Sequence, residues 1–411
     1  MTIDSTATLA ADGGTPVRAA FLPFHQPLID AQDEQAVLDA LRSGWITTGP
    51  RTKTFEKELA HYTGAAHCVA VNSCTAALHL GLDAAGVGPG DEVVTSPITF
   101  ASTANVVVHC GATPVFADVE ASTQNLTPAT IEPVLTPQTR ALILVDQAGA
   151  PADLDGVRRL CDPLRITLVE DAACAAGSRY RGGPVGAGAK LAAFSFHPRK
   201  LVTTGEGGMI TTSDPELATR LRRLREHGMD ISAAERHRIR QPVMEKYVEI
   251  GYNYRMTDVQ AAIGLVQLGK LGRLVARRRE LAQRYQRLLA GIPGLRTAAD
   301  PDYGTTNYQS FWVALPGDFP VSRDDLLRDL AEAGVSARRG IMAAHLEPAY
   351  AGHPHQPLPV TEELTARSLI LPLFHDMTEA EQDVVVSVIH AAAGLGWQRA
   401  GPRIRLPSEV T

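Results

Sequence analysis

Cysteine is scarce in this chain: five among 411 residues, Cys68, Cys74, Cys110, Cys161 and Cys174. The count is odd and no two stand in Cys-x-x-Cys spacing, which argues against a disulfide framework or a zinc site and points to a reducing compartment, the cytoplasm. Positive charge is also short, with 39 Lys and Arg against 45 Asp and Glu for a net charge of −6. A nucleic-acid coat or a binder of anionic membranes needs the opposite balance. Two local basic runs, Arg222, Arg223 and Arg225 and then Arg277 to Arg279, fall in helical periodicity and read as solvated helix faces. No stretch approaches the roughly 20 apolar residues of a membrane span. The first fourteen residues carry neither a Lys or Arg nor the apolar run of a signal peptide. What remains is a globular composition, 45% hydrophobic and 20% charged. At about 100–200 residues per domain, the length predicts two or three domains with a core that needs no staple.

Along the chain, a leader (1–23) precedes helical patterns at Asp30–Ser43 and Lys53–Tyr62, each closed by a glycine. Strand-length apolar runs then alternate with helical patterns. The strands are expected at His67–Asn72, Glu92–Ser96, Thr113–Ala117, Ala141–Val145 and Ile166–Glu170. The helices are expected at Thr75–Ala85, Ala101–Cys110, Pro128–Val134 and Leu154–Asp162. That rhythm predicts an α/β fold with a mostly parallel sheet covered on both faces, and ligands at the C-terminal strand ends. Two further strands, Leu191–Phe196 and Gly208–Thr212, flank a glycine-rich loop, and residues 256–292 read as long helical material. A smaller C-terminal α/β unit is expected to hold a strand at Tyr308–Leu315, a helix at Ser322–Ala333 and a closing helix from Glu379 to Ala393, with Thr378 and Glu381 as its capping box. The expected division is a large domain over 24–270, a small one over 271–400 and a tail from 401 to 411.

The chemistry concentrates in residues 170–208. Asp171 ends a strand at the rim where ligands bind, and Lys200 follows another strand beside the loop Thr203-Thr204-Gly205-Glu206-Gly207-Gly208. A lysine that can become a neutral nucleophile, with a carboxylate for a pyridinium nitrogen, suits a pyridoxal phosphate site. The turn Asn72-Ser73-Cys74-Thr75 joins a buried strand to a helix, and helix N-terminal amides bind phosphate without a basic side chain. Phe100, at the start of a helix on the same rim, offers a flat face for stacking.

Several motifs occur in order: Ser43-Gly44-Trp45 with Thr48-Gly49-Pro50, Ser73-Cys74-Thr75-Ala76-Ala77-Leu78, Glu170-Asp171-Ala172-Ala173, Phe194-Ser195-Phe196-His197-Pro198-Arg199-Lys200, Gly205-Glu206-Gly207-Gly208, and Gly251-Tyr252-Asn253-Tyr254-Arg255-Met256-Thr257. Together, over about residues 24 to 393, the chain resembles the DegT/DnrJ/StrS family of aminotransferases, which act on keto-sugars and keto-cyclitols. The resemblance implies fold type I of the pyridoxal-phosphate enzymes, with Lys200 as the Schiff-base and proton-shuttling residue, Asp171 on the ring nitrogen and Phe100 on the ring. It implies that Ser73, Cys74, Thr75 and Ser195 hold the phosphate, that Gln147 lies at the ring edge, and that Asn253 reaches the phosphate of a neighbouring subunit in a homodimer. The family often has His or Gln three residues after the Asp, where this chain has Cys174. Dehydratase relatives carry His in place of the lysine, so Lys200 favours transamination.

In the C-terminal unit, Arg339 and His345 fall in a loop that the resemblance brings toward the substrate, as does Thr48 from the N-terminal motif. An Arg there suits a nucleotide diphosphate or the carboxylate of the donor. The expected reaction moves an amino group from glutamate or glutamine to a nucleotide-linked keto-sugar, with a keto-cyclitol as the alternative acceptor; the leader Gly13-Gly14-Thr15-Pro16-Val17-Arg18 resembles leaders of cyclitol-type relatives. A non-catalytic regulator would need a DNA- or protein-binding module that an acidic chain of this layout leaves no room for.

Overall fold

The structure is a computed structural model that describes residues 21–232 and 244–395. Most of the leader and the whole tail expected from the sequence lie outside the described residues. Seven strands form the main sheet: β1 (His67–Val71), β2 (Glu92–Thr95), β3 (Thr113–Phe116), β4 (Thr139–Val145), β5 (Thr167–Asp171), β6 (Leu191–Ser195) and β7 (Gly208–Thr212). Their order across the sheet is β1-β7-β6-β5-β4-β2-β3. Pairings from β6 through β5, β4 and β2 to β3 are parallel, and β7 runs antiparallel to both its neighbours. The sheet is therefore mixed and mainly parallel, as the strand–helix rhythm requires.

Alternation along β1 shows why both faces are apolar. Val69 and Val71 enter one core with α3 (Cys74–Ala84), α4 (Ser102–His109) and α7 (Pro215–Leu224) nearby, while Cys68 and Ala70 enter the other, which α2 (Pro50–Thr63) helps to cover. The other helices of this part are α1 (Ala31–Arg42), the single-turn α5 (Pro128–Ile131) and α6 (Leu154–Cys161). The 32-residue α8 (Asp258–Leu289) starts at a Thr257–Gln260 capping box and packs against α1 and α2. A four-stranded antiparallel sheet follows, from β8 (Arg296–Thr297), β9 (Phe311–Ala314), β10 (Arg338–Arg339) and β11 (Ser368–Leu371), in the order β8-β9-β11-β10. Helices α9 (Arg323–Glu332), α10 (Pro359–Arg367) and α11 (Glu379–Ala392) complete this part. Helix α8 runs unbroken through the expected boundary at residues 270 and 271, so the division into two domains stays a proposal.

Four local readings change. Phe100 lies in the loop before α4, which begins at Ser102. The Pro128–Val134 helix is one α turn followed by a 3-10 turn, with Pro133 in the latter. The Tyr308–Leu315 strand shortens to Phe311–Ala314, because Tyr308 adopts a left-handed φ of 50° that no strand accommodates. The basic runs are not simply solvated: Arg278 is 0% exposed and Arg225 is 6% exposed. Arg225 pairs with Glu56, whereas Arg278 donates to the Tyr308 and Gln309 carbonyls, each at 3.0 Å. Both helices face protein where a surface helix would face water.

Candidate active site

Sheet register brings the distant motifs to one edge. Val71 pairs with Gly208 and Gly208 with Ser195, while Ala193 pairs with Asp171 and Asp171 with Val145. The chain leaves β1 through Asn72 and Ser73 into α3, so the helix N-terminus sits beside the ends of β5, β6 and β7. Ser73 is the N-cap, and its hydroxyl accepts from the Ala76 amide at 3.1 Å. Helix geometry leaves the Cys74 and Thr75 amides without intrahelical acceptors, a ready anion cradle. Gly208 is what admits this approach: a Cβ there would lie 2.5 Å from Ser73 C and O and 2.6 Å from Cys74 N. Ser195, at the end of β6, is buried next to it.

Asp171 is 4% exposed. Its Oδ2 accepts from the Thr103 hydroxyl at 2.9 Å and its Oδ1 from the Ala173 amide at 3.2 Å. Burial pushes its carboxyl above the usual range, against the pull of Thr103, Ala173 and Lys200 toward the charged form. Thr103 in turn shares a 2.8 Å hydrogen bond with Thr99. These two threonines bracket Phe100, whose ring is 72% exposed. Their support of Asp171 was missed in the sequence, although their i, i+4 spacing around Phe100 was there to be read.

Lys200 follows the turn closed by its amide on the His197 carbonyl at 2.8 Å. Its Nζ donates to Cys174 Sγ at 3.0 Å. Burial alone disfavours the ammonium, but Cys174, Cys74 and Asp171 together outweigh it and hold the amine above its ordinary range. The Cys74 thiol is pushed well up, mainly by burial. Gln147, after β4, is 3% exposed; its side-chain amide donates to the Ile98 carbonyl and its backbone N–H donates to Asn125 Oδ1 at 2.8 Å.

The remaining residues lie farther from this core. Asn253 is exposed; its carbonyl accepts from Asn72 Nδ2 at 3.3 Å and its Oδ1 from Arg255 Nε at 3.1 Å. Thr48 spends its hydroxyl on the Met256 carbonyl at 2.6 Å. The loop after β10 docks on the site's rim through Met342 O to Thr99 N and Ala344 N to Pro97 O. Within that loop, however, His345 is buried against Phe116 and His355, and Arg339 pairs with Glu347 at 3.0 Å. His345 thus packs against the end of β3 in the main sheet, and neither side chain is paired with Lys200 or Asp171.

A nucleophilic amine, a buried carboxylate, an open helix N-terminus and an uncovered aromatic ring thus converge. This donor set fits a cofactor with an aldehyde, a basic ring nitrogen and a phosphate tail. Among the described residues, no cluster of His, Cys, Asp and Glu could hold a metal ion. No helix there is long and apolar enough to cross a membrane.

Solved structures share this fold. An aminotransferase, TlmJ, from Streptoalloteichus hindustanus is 35% identical over 91% of this chain and 99% of its own, with a TM-score of 0.84. DesI, solved in the presence of its TDP-sugar product, is 32% identical over 94% of this chain and 97% of its own, with a TM-score of 0.84. A Streptococcus pneumoniae protein assigned as a sugar aminotransferase and solved in its PMP form is 31% identical over 91% and 99%, with a TM-score of 0.86. The DegT/DnrJ/EryC1/StrS aminotransferase family matches residues 27–390, which takes in every element that builds the site. With this family matched over most of its length, the chain belongs to the DegT/DnrJ/EryC1/StrS family of pyridoxal-phosphate-dependent aminotransferases.

Proposed function

We propose that the protein transfers an amino group from an amino acid, glutamate or glutamine, to a nucleotide-linked keto-sugar in amino-sugar or antibiotic biosynthesis. The observation that carries the transaminase chemistry is the placement of Lys200 and Asp171 beside one helix N-terminus. Bound there, pyridoxal phosphate supplies a carbonyl for an amine to capture and a ring that accepts electrons. Lys200 Nζ would hold the cofactor at its carbonyl and would carry a proton to and from the substrate carbon. Asp171 holds a proton on the ring nitrogen, with Thr103 and the Ala173 amide fixing its oxygens. The Cys74 and Thr75 amides with Ser195 orient the phosphate, Phe100 covers the ring and Gln147 lines its edge. Arg339, His345 and Thr48 are proposed on the substrate side, where a loop movement would have to free the first two from their present partners.

DesI, solved in the presence of its TDP-sugar product, supports the nucleotide-linked acceptor. The exposed Phe100 ring and Asn253 side chain support a homodimer in which a second copy completes each site, and the cysteine usage supports the cytoplasm. Borohydride reduction of the protein with pyridoxal phosphate, followed by peptide mapping, tests the core of this reading. The label belongs on Lys200, and Lys200→Ala should lose both the label and turnover; a label elsewhere overturns the assignment. A TDP-linked keto-sugar assayed beside a keto-inositol separates the two acceptor classes, and light scattering reads the dimer.

A further inference from the structure

We propose that Cys174 is the positioning residue for the Lys200 amine, and that Asn307 and Gln309 form a clamp that holds the two together. This rests on Lys200 being the cofactor lysine. The clamp grips the backbone on both sides of the contact. Asn307 Nδ2 donates to the Cys174 and Ala176 carbonyls, both at 2.8 Å. Gln309 Oε1 accepts from the Leu201 amide at 3.1 Å and its Nε2 donates to the Arg199 carbonyl, so it brackets Lys200 itself. Asn307 is 1% exposed and Gln309 9%.

The clamp is anchored on its own far side. Its two residues are locked to each other by Gln309 N on Asn307 Oδ1 at 2.7 Å. The buried Arg278 guanidinium binds the carbonyls of Tyr308 and Gln309. Ser178 receives the Asn307 amide at 3.0 Å and donates to the Gly149 carbonyl at 2.6 Å. Gly149 has φ of +95°, and a Cβ there would lie 2.0 Å from Asn307 Oδ1, so only glycine leaves room. Three separated stretches thereby fix the backbone on both sides of the contact, and within that frame Sγ and Nζ meet at 3.0 Å.

The groups that face the amine are Asp171 from β5, Cys74 from α3, Cys174 from the turn after β5 and His197 from its own turn. Asp171 and the cysteines favour the ammonium. Removing the sulfur acceptor should therefore lower the pH at which Lys200 loses its proton, while also releasing the direction in which Nζ points.

The experiment is competitive acylation of the cofactor-free protein across pH, with Lys200 labelling read by mass spectrometry, and stopped-flow capture of pyridoxal phosphate at a pH above every variant's midpoint. Cys174→Ala should lower the Lys200 midpoint by about half a unit to one unit and slow capture about fivefold, the size of one hydrogen bond. Cys174→Ser, which keeps an acceptor, should restore most of both. Asn307→Ala leaves the thiol in place and should move both readouts in the same direction, which covers the case in which Cys174→Ala does not fold. Wild-type values for the midpoint and the capture rate in folded Cys174→Ala or Asn307→Ala would overturn the proposal. Should the borohydride label miss Lys200, the functional reading fails by itself, because the acylation midpoint still reports on the contact.

Discussion

Replacing Gly208 by alanine isolates the closest approach in the site. Its φ lies outside the left-handed region, so alanine suits the backbone and the effect is one of space alone. The new Cβ would stand 2.5–2.6 Å from three backbone atoms of Ser73 and Cys74, whereas carbon contacts settle near 3.5–4.0 Å. None of those atoms can rotate away, and β7 is held on both sides by β1 and β6. The start of α3 must retreat by about an ångström. Overpacking of this kind costs about 1–3 kcal/mol, and the upper end applies because both partners are main chain. At about 2–4 °C per kcal/mol for a domain of this size, the cofactor-free protein should melt at least about 4 °C lower. The same retreat misplaces the Cys74 and Thr75 amides, so affinity for pyridoxal phosphate, titrated by absorbance, should fall at least about tenfold, or 1.4 kcal/mol. Gly269→Ala is the matched control: it lies within α8 with nothing within 4 Å of the new Cβ, and should stabilise by up to about 1 kcal/mol. A Gly208→Ala protein that melts within about 1 °C of wild type and binds the cofactor equally well refutes the reasoning.

Two further outcomes follow from buried carboxylates. Burial raises the Glu170 carboxyl to about 7, and it raises Asp146 well above its usual range, with Glu170 adding to the latter. A raised folded-state value means that the folded protein keeps a proton the unfolded chain has released above about pH 4.3, so this stability is complete below that pH and is lost as pH rises through 7. Glu170→Gln should therefore flatten the decline of the melting temperature between pH 5 and 8 relative to wild type; an unchanged slope counts against the burial argument. Asp258, 0% exposed at the start of α8, accepts from the Gly49, Arg51 and Thr52 amides and from the Thr52 hydroxyl, all within 3.0 Å. Asp258→Ala leaves the N-terminus of α2 uncapped and should cost at least about 2 kcal/mol in denaturant unfolding, and a loss below about 0.5 kcal/mol would show that water replaces the carboxylate.

The strand–helix rhythm was legible because each strand is apolar on both sides and each crossover helix carries its own periodicity. The Lys200–Asp171 pair was legible because both residues sit at strand ends inside recognisable local motifs. Thr99 and Thr103 were present as a spacing but carried no sign of their partner, since Asp171 lies 68 residues away from Thr103. Arg278 misled because helical periodicity shows which residues share a face and not what that face meets.

Local sequence alone thus determined the order of elements, the helix cap at Thr378, and the candidates for amine and carboxylate. Those properties depend on neighbours a few residues apart. Only the tertiary structure decided that Gly208 closes on Ser73, that Cys174 receives the Lys200 amine and that Asn307 and Gln309 bracket them both. Cys174 and Lys200 stand 26 residues apart and the other contacts join segments more than a hundred apart, and their energies come from burial and register, which no short stretch of chain encodes.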